Sequence, residues 1–206
     1  MFDGKDQTKP YTEKDRPNPL SIYGRSKLAG EQRVRDLCDQ HLIFRLSSIY
    51  GIRRRNFLTT MLKYLHQGET PRVVDDQIVS PTWCPMIAEA IESVILRLLN
   101  DHQIPWGIYH FSSLGTVSCY EFACEIFKLL SQTYGIPTPI PYPVTTQEFN
   151  ARAQRPVYSI LNSQKFITTF EYPITNWKTQ LIHCMNTLQP ENMDSILGNP
   201  HWRKMK

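Results

Sequence analysis

Glycine is scarce in this chain, with nine residues in 206, and none of the nine falls into a G-x-G-x-x-G or P-loop spacing. The usual cradle for a pyrophosphate between a strand and a helix is therefore not among these residues. Long apolar runs are also missing. None approaches the roughly 20 residues that span a bilayer, and Met1-Phe2-Asp3-Gly4-Lys5-Asp6 has no apolar signal-peptide core. No membrane partner is indicated, and the cytoplasm is the expected compartment. Five cysteines, an odd number with no C-x-x-C pair, argue against a disulfide framework and a zinc site. Buried thiols in a reducing compartment are the expectation. The six histidines form no H-E-x-x-H or i, i+4 pair, so no metal site is assigned, and His110 reads as a packed or capped residue. A net charge of +4, spread thinly except at Arg53-Arg54-Arg55, gives little support to a nucleic acid partner. That triplet reads as a solvated loop or as a contact to phosphate oxygens.

What is present is a chain with 41% hydrophobic residues, long enough to bury a sizeable core. The segment to Pro19 is rich in Asp, Lys, Pro and Thr without apolar period, and reads as a long surface loop serving a site. A helical pattern runs from Ser21 to about His41 through Leu28, Val34 and Leu37, followed by a short strand, Leu42 to Leu46. Helix then buried strand predicts α/β architecture. Further on, a helix from Asn56 to Gln67 closed by Gly68, a strand near Arg72 to Val74, a helix from about Met86 to Asn100 and a strand over Ile108 to Phe111 follow. Ser118 and Glu121 fit a capping box opening a helix through Phe122, Ile126 and Leu130 that stops at Gly135. A proline-rich connection covers 136–144, a last helix covers Trp177 to Leu188, and the tail beyond Pro190 reads as loosely held.

Tyr23 and Lys27 stand four residues apart at the start of the first helix, so one helical turn sets phenol beside ammonium. A cation close to a phenol favours the phenolate, which makes tyrosine usable as acid and base. Chemistry of that kind commonly delivers a proton to a carbinol oxygen as hydride moves to or from a nicotinamide. The spacing alone recurs by chance, and the surrounding sequence carries the assignment.

Phe2-Asp3-Gly4, Pro10-Tyr11-Thr12-Glu13, Tyr23-Gly24-Arg25-Ser26-Lys27-Leu28-Ala29-Gly30-Glu31, Arg45-Leu46-Ser47-Ser48-Ile49-Tyr50-Gly51, Asn56-Phe57, Ser80-Pro81-Thr82-Trp83 and Arg155-Pro156 occur in that order. Together they resemble the dTDP-4-dehydrorhamnose reductase family of extended short-chain dehydrogenases/reductases. The resemblance implies the C-terminal part of a doubly wound Rossmann-type parallel sheet plus a smaller α/β substrate-binding domain. Residues 1–75 would be the remainder of the Rossmann domain, 76–190 mostly substrate domain and 191–206 a tail. It implies NADPH or NADH as cofactor, with Mg2+ associated with some relatives, and a dTDP-sugar as substrate. Tyr23 would give its proton to the C4 oxygen of the sugar, and Lys27 would assist it and hold the nicotinamide ribose. Ser48, Asn56, Gln77 and Arg155 would meet nucleotide or sugar; for the last three the alternative is a turn-forming amide or a backbone-anchoring arginine. Ser48 falls where the family commonly carries a tryptophan, and Val79 where glycine is usual, so the sugar itself is left open.

The family's glycine-rich turn and its third catalytic Ser/Thr are expected upstream of Met1. Without them the sheet edge is exposed and the chain alone is expected to be poorly stable and inactive. A complementing N-terminal fragment or a homodimer are the partners in view. Two other readings stay open: a related nucleotide-sugar dehydrogenase or epimerase, and a non-catalytic regulatory subunit like the β subunit of methionine adenosyltransferase.

Overall fold

The computed structural model describes residues 1–5, 9–100, 104–151 and 153–188. In chain order the elements are α1 (Ile22–Leu37), β1 (Leu42–Leu46), β2 (Ile49–Tyr50), α2 (Phe57–Gln67), β3 (Arg72–Val74), β4 (Ile78–Val79), β5 (Thr82–Trp83) and α3 (Cys84–Asn100). They continue with β6 (Gly107–Phe111), β7 (Val117–Ser118), α4 (Cys119–Tyr134), β8 (Tyr142–Val144), α5 (Thr146–Phe149), α6 (Gln164–Phe170) and α7 (Trp177–Asn186).

Local chemistry sets most of the boundaries. Ser21 accepts the Gly24 amide at 3.0 Å and starts α1. Reciprocal capping boxes open α2 (Asn56 with Thr59) and α4 (Ser118 with Glu121). Gly68 and Gly135 end the same two helices at φ of 68° and 65°, where a Cβ would be strained. Two segments depart from expectation. α1 stops at Leu37 rather than near His41, because Cys38 turns extended, and the proline-rich stretch contains β8, paired in parallel with β3.

β1 and β6 pair in parallel over five residues, from Leu42 with Gly107 to Leu46 with Phe111. The crossover between them carries α3, so the architecture is α/β. Side chains alternate across this pair. Leu42, Phe44, Leu46, Tyr109 and Phe111 pack with Met86, Ile87, Ala90 and Val94 of α3 and with Phe166 and Phe170 of α6. Arg45 and His110, paired in register, belong to the opposite alternation. A second core joins α2, α4 and α7 through Leu58, Leu62, Ile126, Leu130 and Leu181, each fully buried. Both cores draw residues from either side of position 75.

Two expectations need correction. The thiols are not all buried: Cys38 and Cys84 are exposed, Cys119 and Cys124 half-buried and Cys184 buried, all five free. Cys38 caps the C-terminus of α1 and Cys84 is the first residue of α3, so both sit at helix ends. The apolar stripe of α1 is also largely uncovered, with Val34 at 44% and Leu37 at 83% exposure. What α1 buries instead is Gly24 and a charged residue, Glu31. Among the described residues no helix is long and apolar enough to cross a membrane.

Candidate active site

Only the short link 38–41 separates α1 from β1, so the helix runs antiparallel to the strand and its N-terminus lies toward the carboxyl end of β1. Open α/β sheets bind ligands at that end. Gly24 lets the opening loop pack closely on the start of the helix, since a Cβ there would come within 2.8 Å of the Pro19 Cβ. On the first two turns Lys27 Nζ lies 5.4 Å from the Tyr23 ring centroid, and Tyr23 is 72% exposed. The pair expected from spacing is therefore brought together, with the phenol open to a ligand.

Beneath it α1 is clamped to the sheet. Arg45 Nε donates to Glu31 at 3.0 Å and Nη2 donates to the other carboxylate oxygen at 2.5 Å, a bidentate pair. Glu31 lies one turn beyond Lys27, so the clamp sets the height of the pair over β1. Arg45 Nη1 lies 3.4 Å from His110 Nε2, and His110 Nδ1 lies 2.9 Å from the Tyr11 carbonyl. The carbonyl can only accept, which assigns the proton to Nδ1 and leaves Nε2 as acceptor for the arginine. Burial holds the His110 pKa below its usual value, against the nearby Glu13 charge that favours protonation. The His110 amide donates to Glu13 at 2.8 Å, and Phe2 stacks on Tyr11 at 4.2 Å. The opening loop is thus tied to the sheet rather than lying free. Its Asp3 accepts from the Lys5 amide and from Asn18 Nδ2, and the first of these contacts leads in lowering its pKa. Glu31, Arg45 and Glu13 were not singled out from sequence, whereas His110, read there as a packed or capped residue, is fully buried. The available signals were a carboxylate one turn past Lys27 and an arginine inside an apolar strand.

The remaining sequence-assigned residues divide. Ser48 follows β1 with φ of 47°, an unusual conformation for a side-chain-bearing residue. It is exposed, and its carbonyl accepts the Thr82 amide at 3.1 Å. Next to it, Ser47 Oγ donates to the Ser159 carbonyl at 2.8 Å. Gln77 is buried and donates from Nε2 to Thr146 Oγ1 at 3.0 Å. Arg155 is exposed, two residues before Val157, whose carbonyl accepts the Ile78 amide at 2.8 Å. These pairings draw Ser48, Gln77 and Arg155 onto converging segments. Burial pushes the nearby Cys119 thiol up to about 11, and the Arg155 charge opposes that rise.

Asn56 is used differently. Its Nδ2 donates to the carbonyls of Gly51, Arg53 and Arg54 at 2.7, 3.2 and 3.1 Å, and its Oδ1 accepts the Thr59 amide. The amide shapes the 51–55 loop and caps α2. Among the described residues no group of three or more His, Cys, Asp or Glu is arranged to hold a metal ion. Tyr23 and Lys27 are both exposed on the first two turns of α1.

Comparison with known proteins matches residues 1–190 to the family described as RmlD substrate binding domain. The chain is 33% identical over 181 residues to dTDP-4-dehydrorhamnose reductase of Escherichia coli K12, covering 87% of the chain and 60% of that relative. It is 41% identical over 162 residues to the spore coat polysaccharide biosynthesis protein SpsK of Bacillus subtilis 168, covering 79% of the chain and 53% of SpsK. Among solved structures, the dTDP-4-dehydrorhamnose reductase (rfbD) of Bacillus anthracis in complex with NADP superimposes with a TM-score of 0.77 at 34% identity, over 91% of the chain and 62% of that structure. A UDP-glucuronic acid 4-epimerase of Bacillus cereus shares the fold at 15% identity and a TM-score of 0.70. The chain thus spans about three fifths of the E. coli reductase it matches.

Proposed function

The chain belongs to the RmlD substrate binding domain family, and from that premise we propose that it supplies the proton donor and the sugar pocket of a nucleotide-sugar 4-ketoreductase. The reaction is the NAD(P)H-dependent reduction of dTDP-4-dehydro-L-rhamnose to dTDP-L-rhamnose, in the cytoplasm. The observation that carries this reading is the exposed Tyr23 phenol with Lys27 Nζ 5.4 Å from its ring centroid, raised on a clamped helix at the carboxyl end of a parallel strand pair.

Lys27 and Tyr23 would hold NADPH or NADH at its nicotinamide ribose, and the bound cofactor would supply the hydride for C4 of the sugar. Tyr23 donates its phenolic proton to the C4 oxygen as that oxygen gains electron density, so the carbonyl becomes a carbinol and the phenol a phenolate. The Lys27 ammonium stabilises the phenolate until it regains a proton from solvent. Ser48, Gln77 and Arg155 face the nucleotide sugar, and Asn56 acts through the loop it organises. The β1/β6 core and the α2/α4/α7 core correspond to nucleotide-side and sugar-side lobes.

Among the described residues β1 pairs with β6 alone, and α3 exposes Ile95 at 50% and Leu99 at 70%. These features support a complementing segment that carries the glycine-rich turn, or a second copy, as the partner. The test is reduction of the dTDP-4-dehydro sugar with NADPH by this chain, alone and with such a segment supplied. Turnover that needs Tyr23 upholds the reading. Sugar-nucleotide binding without turnover under both conditions replaces it with a binding or regulatory role.

A further inference from the structure

α1 carries Tyr23 and Lys27, yet little holds it by the ordinary means. A surface helix usually docks through an apolar stripe, and the apolar positions of α1 are mostly open: Ile22, Val34 and Leu37 are exposed and Leu28 is half-buried. Among the described residues the helix buries only Gly24 and Glu31. Gly24 seats its start against Pro19, and Glu31 binds it to the sheet through two nitrogens of the Arg45 guanidinium. Tyr23 adjoins the first of these anchors, and Lys27 lies one turn before the second.

Arg45 joins three elements at one buried point. Its Nε and Nη2 hold Glu31 of α1, Nη1 lies 3.4 Å from His110 Nε2 on β6, and its guanidinium carbon lies 5.6 Å from the Phe2 ring centroid in the opening loop. Phe2 stacks on Tyr11, whose carbonyl takes the His110 Nδ1 proton. A planar fork with fixed donor directions imposes an orientation as well as an attraction, which the point charge of a lysine does not. An interior ion pair adds little net stability, and its best-attested use is to fix register. We propose, on the basis of the reductase reading above, that Arg45 is a positioning residue for the reduction. Acting through Glu31, it fixes where over β1 the Tyr23 phenol and the Lys27 ammonium stand, and through His110 and Phe2 it keeps the opening loop in the same frame.

Two variants separate holding the helix from stabilising the fold. Arg45→Lys keeps a positive charge beside Glu31 and gives up the fork, whereas Glu31→Leu/Arg45→Met replaces the pair by apolar contact, which is often neutral for stability. In the complemented enzyme both should lose on the order of 10²-fold in kcat, the cost of displacing reacting groups by about 1 Å, with the KM for the sugar nucleotide and the urea midpoint of the double variant near native. In the chain itself, hydrogen–deuterium exchange should show α1 losing protection in both variants while α4 and α7 keep theirs. Native kcat in both variants overturns the proposal, because a pair that only stabilised would be replaceable by packing or by another cation. Native α1 protection in both overturns it with or without turnover. Tyr23→Phe, assayed alongside, keeps the two claims apart: turnover retained there removes the reductase reading and the positioning role with it, while turnover lost there and kept in both Arg45 variants removes the positioning role alone.

Discussion

Removing the Glu31 carboxylate should be the most damaging single change near the active site. In the native chain the Arg45 and Glu31 side chains are 7% and 5% exposed, so solvent screening offers little relief. Glu31→Ala keeps a good helix former in α1 but leaves the guanidinium buried against His110 Nε2, a single neutral acceptor. Breaking a buried pair from one side costs about 3–5 kcal/mol, a large part of a typical native stability of about 5–15 kcal/mol. For a chain of this length that loss lowers the Tm by roughly 6–20 °C, at about 2–4 °C per kcal/mol. Urea unfolding followed by tryptophan fluorescence gives the number directly. The companion variant Glu31→Leu/Arg45→Met removes both charges, and it should recover most of the loss because an apolar replacement of a buried pair is often neutral. A Glu31→Ala cost under about 1 kcal/mol would show that the pair behaves like a surface ion pair. A double variant as unstable as the single one would show that the cost is not that of an uncompensated charge.

Four other outcomes follow from the same geometry. His110 has its pKa lowered by burial, so the unfolded chain binds its proton first; stability should be intact above about pH 6.5 and fall as pH drops below it toward the folded value. Thermal unfolding from pH 7.5 downward should show that loss flattened in His110→Gln, with Glu13, Glu31 and Arg45 facing the ring unchanged. Tyr50 buries a hydroxyl that has no hydrogen-bond partner among the described residues, so Tyr50→Phe should raise stability in urea unfolding by about 1 kcal/mol, the desolvation cost of an unpaired polar group. Asn56→Ala removes an N-cap and three carbonyl contacts and should cost about 2 kcal/mol in the same assay. Tyr23→Phe should leave stability unchanged, since the ring is exposed, and lower turnover of the complemented enzyme by about 10²–10⁴-fold with cofactor affinity kept.

Much of this protein is readable along the chain because the governing interactions are local. The Ser118 and Glu121 capping box, the Gly68 and Gly135 stops and the four-residue step from Tyr23 to Lys27 are each decided within a turn or two of backbone, and sequence proximity is spatial proximity there. The ordered blocks from Phe2-Asp3-Gly4 to Arg155-Pro156 likewise carried the family, since they are strings of neighbours. What the tertiary structure decided are the pairings between distant segments. The register of β1 against β6 sets Arg45 beside His110, 65 residues away, and an arginine in an apolar strand does not announce that a glutamate on the preceding helix will neutralise it. The same holds for Asn56, whose amide looks free to meet a substrate until the 51–55 loop folds back onto it, and for Val34 and Leu37, whose helical period was plain but whose exposure depends on what packs beside α1. Periodicity states which residues share a face, and only the assembled fold states what that face meets.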